Sequence, residues 1–297
     1  SAAEKEERVE NLLFFDGNSY LRIPLYEKAA WGGGKRDRMY LAGRSHIIQD
    51  RSLIDTMRLF HGMGYGGLEL SLQHGMGKWL DTNYLEDYVI DKVNEVSEEL
   101  SFPITALACH QNYVWDDYTY EIEKKLLKKA AGYHPVSGTV ILSTFMEYGQ
   151  RELHEKEVYT QLVERTRELC NIAQDQGLNL AIEIEPNQLV HNLDRFLELA
   201  DRVKSPALKI NFDVGHFYLS EKDLYAAMER AKDYICYSHI DNMCMGEHCH
   251  KLPWEGDIDL LAAYRKLKSL GYDGPVSLDI YLQDYAAVAP QCLSYIN

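Results

Sequence analysis

The chain has 297 residues, 46% of them hydrophobic, enough to bury a large core within one α/β domain spanning 1–297. Its formal net charge of −15 repels polyphosphates, and the one compact basic cluster, Lys35, Arg36 and Arg38, is too small to overcome that field, so no nucleic-acid partner is expected. No apolar run reaches the roughly 18 residues of a membrane span, and the residues before Asn11 do not read as a signal peptide, so no membrane partner is expected.

In chain order, apolar strand-like runs fall at Leu12–Phe15, Gly67–Leu72, Ile104–Cys109, Thr139–Ser143, Leu178–Ile184, Leu208–Phe212, Tyr234–His239 and Pro275–Ile280. Segments of helical period lie between them, at Ser52–His61, Tyr84–Leu100, Tyr118–Ala131, Glu155–Gln176, Asn192–Val203, Glu221–Lys232 and Ile258–Leu270. Eight strands alternating with helices predict a (β/α)8 TIM barrel, with an open doubly wound sheet as the runner-up. A long loop at about 17–50 follows the first run. It contains Gly32-Gly33-Gly34 and reads either as a lid bringing Trp31 or Lys35 to a ligand or as a surface insertion. Ser1-Ala-Ala reads as an expression remnant. Six scattered cysteines lack the density of a disulfide scaffold, so reduced thiols and a cytoplasmic location are expected.

Metal-ligand residues recur at the ends of the later strands. In Leu-Ala-Ile-Glu183-Ile-Glu185, period two puts both glutamates on one face, and two carboxylates inside a barrel are costly without a cation. Spacing does not decide which of the two reaches an ion. Asp213-Val-Gly-His216 ends the next strand, where Gly215 permits a sharp turn that sends His216 toward the same ligand or a second ion. His239 ends the strand after that, and Asp279 the last. The segment Cys244-Met-Gly-Glu-His248-Cys249-His250 reads either as a zinc knot or as a loop whose His248 or His250 reaches substrate oxygens. Asp257 and Asp259 read as the cap and first-turn acids of the helix that follows.

The series Leu-Ala-Ile-Glu183, Leu-Lys-Ile-Asn-Phe-Asp213-x-x-His216, His239-Ile-Asp-Asn, His250-x-x-Pro-x-Glu-Gly-Asp-Ile-Asp259 and Gly-Pro-Val-Ser-Leu-Asp279 resembles the xylose isomerase-like TIM barrel superfamily. The nearest branch is the sugar phosphate isomerase/epimerase group that includes ketose 3-epimerases, and the resemblance runs from about Gly64 to Ile280. It implies a divalent metal, most often Mn2+, with Mg2+, Co2+ or Zn2+ as substitutes, held by Glu183, Asp213, His239 and Asp279. Such a centre polarises a carbonyl and its neighbouring hydroxyl and stabilises an enediolate after removal of the α-proton. The resemblance makes Glu183 and Asp279 the proton-transferring pair, with Glu185 as the alternative to the first. His110, His216 and His250 then bind the hydroxyls of a small sugar or sugar derivative, and Trp254 supplies an aromatic wall.

Three departures accompany this resemblance. Asp279 stands where the family usually has Glu, Trp254 replaces a glycine, and the long first loop has no match. Other readings are a metal-dependent lyase or dehydratase, including a C-glycoside-cleaving subunit, and a sugar-binding barrel without catalysis. A further one is a trinuclear-zinc hydrolase of endonuclease IV type, whose ligand order His74, His110, Glu183, Asp213, His216, His239, His248, His250 and Asp279 follows roughly. A homo-oligomer or a partner subunit completing the pocket is compatible with all of them.

Overall fold

The computed structural model describes residues 13–15, 19–21, 39–46, 48, 51–73, 80–133, 138–144, 155–281 and 284–297. The chain divides into two compact units, Ser1–Gly34 and Lys35–Asn297. In the first, β1 (Leu13–Phe15) pairs antiparallel with β2 (Ser19–Leu21). In the second, β3 (Tyr40–Arg44), β4 (Gly67–Ser71), β5 (Ile104–Cys109), β6 (Thr139–Ser143), β7 (Asn179–Glu183), β8 (Leu208–Asp213) and β9 (Ile235–Ile240) run side by side. A two-stranded hairpin of β10 (Asn242–Cys244) and β11 (Glu247–Lys251) follows. Then β12 (Pro275–Leu278) pairs in parallel with both β9 and β3 and closes the barrel.

The helices between strands are α1 (Leu53–Met63), α2 (Asp87–Leu100), α3 (Asp117–Ala130), α4 (Glu155–Asp175), α5 (Leu193–Val203), α6 (Val214–Ser220), α7 (Leu224–Ala231) and α8 (Leu260–Ser269), with α9 (Tyr285–Ile296) after β12. Side-chain oxygens of Ser52, Asp116, Asn192, Asp223, Asp259 and Asp284 accept backbone N–H bonds at the starts of α1, α3, α5, α7, α8 and α9. These bonds satisfy donors that a helix start otherwise leaves orphaned. Among the described residues no helix is long and apolar enough to cross a membrane.

Strand alternation separates two cores. Leu68, Leu70, Leu107, Val140, Leu142, Leu180, Ile182, Ile210 and Phe212 pack outward with the helices, whereas Ala106, Ala108, Ile141, Ala181 and Tyr237 form a separate cluster inside the bore. The alanines make room for the Tyr237 ring, whose hydroxyl lies 2.6 Å from Thr105 Oγ1 and 2.7 Å from Ser277 Oγ. Above this floor the inward positions turn polar. At the C-terminal ends of the strands they are Arg44, Ser143, Glu183, Asp213, His239 and Asp279, all buried.

The structure corrects several sequence expectations. Leu13–Phe15 belongs to the hairpin with β2, and the first barrel strand is Tyr40–Arg44, inside the stretch read as a loop. The aromatic Leu-Leu-Phe-Phe run has the stronger strand propensity, but only the second run ends in a residue that the bore needs, Arg44. Gly43 in that strand is required because a Cβ there would strike the Phe60 ring of α1. The helix expected at Glu221–Lys232 is α7 alone, preceded by the separate α6, and the C-terminal α9 was not anticipated. Asp257 is not part of a cap: its Oδ2 accepts from the Met245 N–H at 2.9 Å. Trp31, Lys35, Arg36, Arg38 and His74 lie outside the described residues.

Candidate metal centre

Four neighbouring strands of the barrel each contribute one side chain. Glu183 ends β7, Asp213 ends β8, His239 lies on β9, and Asp279 follows β12. Register brings Asp213 opposite His239, whereas Glu183 stands opposite Asn211 and Asp279 lies two residues beyond Ser277, the β12 partner of His239. One ligand atom from each lies within 4.8 Å of the others, and all four residues are buried. His239 Nδ1 is 3.4 Å from Glu183 Oε1, 3.6 Å from Asp279 Oδ2 and 3.8 Å from Asp213 Oδ2.

Asp213 shows how a candidate ligand is held for this position. Its Oδ1 accepts the His216 N–H at 2.7 Å and so caps α6, while Oδ2 is buried with no hydrogen-bond partner among the described residues. A cation would satisfy such an orphaned, buried carboxylate oxygen. Charge makes the same demand. Burial works against ionised Glu183, yet the imidazoles of His239 and His110 hold it well below the ordinary carboxylate range. Burial, Asp241 and Glu183 together push Asp213 well up. The imidazoles favour the charge on Glu183 while neighbouring carboxylates oppose that on Asp213, a repulsion that a divalent ion would relieve. Three carboxylates and one imidazole suit Mn2+, Mg2+, Co2+ or Zn2+ alike.

A second group of donors adjoins the first. His216, in the first turn of α6, sets Nε2 3.0 Å from His248 Nε2, and with His250 these rings offer three nitrogens within 4.8 Å. Period two places His248 and His250 on one face of β11. Cys249 is on the other, its Sγ directed at Glu247 O, and Cys244 Sγ accepts from Lys251 Nζ at 2.9 Å. The thiols therefore do not join the histidines as a zinc knot. His250 Nδ1 is 2.9 Å from Asp241 Oδ2 and 3.5 Å from Asp279 Oδ2. Burial disfavours its charge, but Asp279 and Asp241 outweigh that and raise its pKa to about 10.

Glu185 stands beyond the strand end at the rim. Gln188 Nε2 donates to its Oε2, and His248 Nε2 lies 3.8 Å from its Oε1. Burial and then Glu183 raise its pKa to about 8. His110 Nδ1 is 2.9 Å from Ser143 Oγ and 3.2 Å from Glu183 Oε2, so it borders the centre. Trp254 is 41% exposed, with its ring against Tyr295 at 5.8 Å. The glycine two residues on, Gly256, is the one that packing requires, because a Cβ there would strike Asn242 Oδ1.

Gly215 differs from its expected role. It is helical rather than a sharp turn; its N–H donates to Asp241 Oδ1 at 3.1 Å, and a Cβ would collide with that oxygen. Asp241 itself was missed, though period two from His239 puts it on the same face. Two more missed residues complete the cup. Arg44 bonds Glu69 and Asp279 by ion pairs, and its Nη2 is 3.0 Å from His110 Nε2. Tyr281 places its hydroxyl 3.1 Å from His46 Nε2 and sets its ring edge-on to His250 at 4.4 Å.

With this geometry in place, the sequence pattern of the xylose isomerase-like TIM barrel family matches residues 57–293. The chain belongs to that family. It is 23% identical over 209 residues to a 3-dehydroshikimate dehydratase of Bacillus anthracis, covering 67% of this chain and 69% of the relative. The crystal structure of a 3-keto-D-glucoside 4-epimerase from E. coli superposes with a TM-score of 0.71 at 16% identity, over 87% of this chain and 99% of that one. The IOLI protein, solved with a zinc atom, superposes at 0.69 with 20% identity, over 87% and 95% of the two chains.

Proposed function

We propose that this chain is a divalent-metal-dependent sugar isomerase or epimerase that acts by removing a proton α to a carbonyl. The observation that carries the reading is the convergence of Glu183, Asp213, His239 and Asp279 from four strand ends into one ligand-sized cluster. Mn2+ is the proposed ion. A bound divalent ion supplies Lewis-acid polarisation of the carbonyl and of the hydroxyl beside it.

Glu183 and Asp279 stand on strands separated by β8 and β9, so they flank anything held between them. One takes the proton from carbon, and the other returns it to the opposite face for epimerisation or to the neighbouring carbon for isomerisation. Glu185, with its raised pKa, is suited to hold a proton and donate it. His110, His216 and His250 line the same cup and bind substrate hydroxyls, with Trp254 as an outlying aromatic contact.

A dehydratase is the second reading, favoured by the B. anthracis relative and by the protonated Glu185 and His250, either of which could protonate a departing hydroxyl. The deciding experiment incubates the Mn2+-loaded protein with a panel of ketoses in D2O. Metal-dependent uptake of deuterium α to the carbonyl, lost in Glu183→Gln, supports the proposal. Loss of water with formation of a conjugated carbonyl product supports the dehydratase, and a protein that binds no divalent metal overturns both.

A further inference from the structure

Glu69, on β4, is fully buried. Because β4 neighbours only β3 and β5, the Glu69 side chain meets His239 of β9 across the bore, not along a strand pair. Its two oxygens have separate partners. Oε2 lies 2.8 Å from His239 Nε2, and Oε1 accepts from Arg44 Nε at 3.0 Å. His239 thereby turns its other nitrogen, Nδ1, toward Glu183, Asp213 and Asp279. Arg44 directs its remaining N–H groups to Asp279, His110 and Tyr281. A single carboxylate thus reaches two of the four proposed ligands, one directly and one through a guanidinium.

We infer that Glu69 is a positioning residue for the metal centre: it holds the His239 ring with Nδ1 presented to the ion, and it fixes Arg44 against Asp279. This inference rests on the metal reading above. An imidazole torsion is broad and roughly two-fold, so a ligating histidine needs its second nitrogen anchored if the first is to stay on the ion. A lone carboxylate in the bore would be strongly disfavoured, and Arg44 supplies the counter-charge that keeps Glu69 an acceptor.

The test measures Mn2+ binding to the full chain by the paramagnetic resonance of free Mn2+, in wild type, Glu69→Gln and Thr105→Val. Glutamine keeps the shape of Glu69 but not its charge. The expected result is a roughly 10- to 100-fold weaker Mn2+ affinity in Glu69→Gln with unchanged stoichiometry. Thr105→Val, which disturbs the Tyr237 floor, lowers the melting temperature without weakening Mn2+ binding. Equal affinities in wild type and Glu69→Gln overturn the role of Glu69 alone, and a wild type that binds no Mn2+ overturns the metal reading itself. If Glu69→Gln does not fold, nitrogen-15 spectra of the Zn2+-loaded wild type decide: a protonated His239 Nε2 supports the inference and a deprotonated one overturns it.

Discussion

The Arg44 guanidinium lies directly against the Asp279 carboxylate, inside the barrel and shielded from water. Arg44 also pairs with Glu69, so one fixed cation serves two buried acids. Burial opposes the charge on Asp279, yet Arg44 and then His250 hold its pKa below the ordinary range. Removing the cation leaves both carboxylates without a fixed counter-charge. Arg44→Met should therefore destabilise the metal-free protein by about 3–5 kcal/mol, the usual cost of breaking a buried pair from one side. Excess Mn2+ should restore part of that loss. Urea unfolding with chelator and with Mn2+ checks this, and a variant as stable as wild type in chelator would show that Arg44 is not the balancing charge.

Metal count separates the functional readings. The Glu183, Asp213, His239 and Asp279 set predicts one Mn2+ per chain, lost on Asp213→Asn or His239→Ala. The trinuclear hydrolase reading predicts about three zinc ions, with one of them held by His216, His248 and His250 and released by His248→Ala. Elemental analysis after dialysis against each metal gives the number. One ion per chain is the expected outcome.

Much of this centre was legible because a barrel strand is short and its alternation strict. Glu183, Asp213 and His239 each close an apolar run, and a charged residue at such an end has few alternatives to a site. Arg44 was hidden by competition between two runs: Leu12–Phe15 looks more like a strand than Tyr-Leu-Ala-Gly-Arg, whose glycine exists only to clear Phe60. Glu69 lies inside a plainly strand-like run, but nothing local shows that its partner stands across the bore on β9. Asp241 was readable by the logic applied to Glu183 and Glu185. The cysteine and histidine cluster stayed ambiguous because only the antiparallel pairing of β10 with β11 sends the thiols and the imidazoles to different sides.

Gly215→Ala sets two effects against each other. Gly215 is the second residue of α6, where alanine gains at most about 1 kcal/mol over glycine from backbone propensity. Here the new methyl would collide with Asp241 Oδ1 and crowd Met243 Cε, and overpacking of a tight site costs about 1–3 kcal/mol. The steric cost should win, and the displaced Asp241 should release His250, its partner at 2.9 Å. Denaturant unfolding should show net destabilisation, by at most about 2–3 kcal/mol. A stabilised Gly215→Ala would mean that Asp241 moves freely and does not anchor His250.

Away from the centre, Glu123 of α3 is fully buried, with no nitrogen or oxygen donor among the described residues and only the Cys109 thiol beside it. Burial pushes its pKa well above the ordinary value of 4.5, an effect only partly offset by the Cys109 thiol and Arg165. The sign follows from linkage. As pH rises through 4.5 the unfolded chain releases this proton while the folded chain retains it, so Glu123 subtracts from stability above pH 4.5 until the folded group also ionises. Glutamine has the same shape and no charge. Glu123→Gln should match wild type near pH 4.5 and then gain on it with rising pH, by at most about 1.4 kcal/mol per pH unit. Unfolding free energies measured from pH 4.5 to 8 test this, and curves that run parallel across the range would show that Glu123 ionises no differently in the fold than in the open chain.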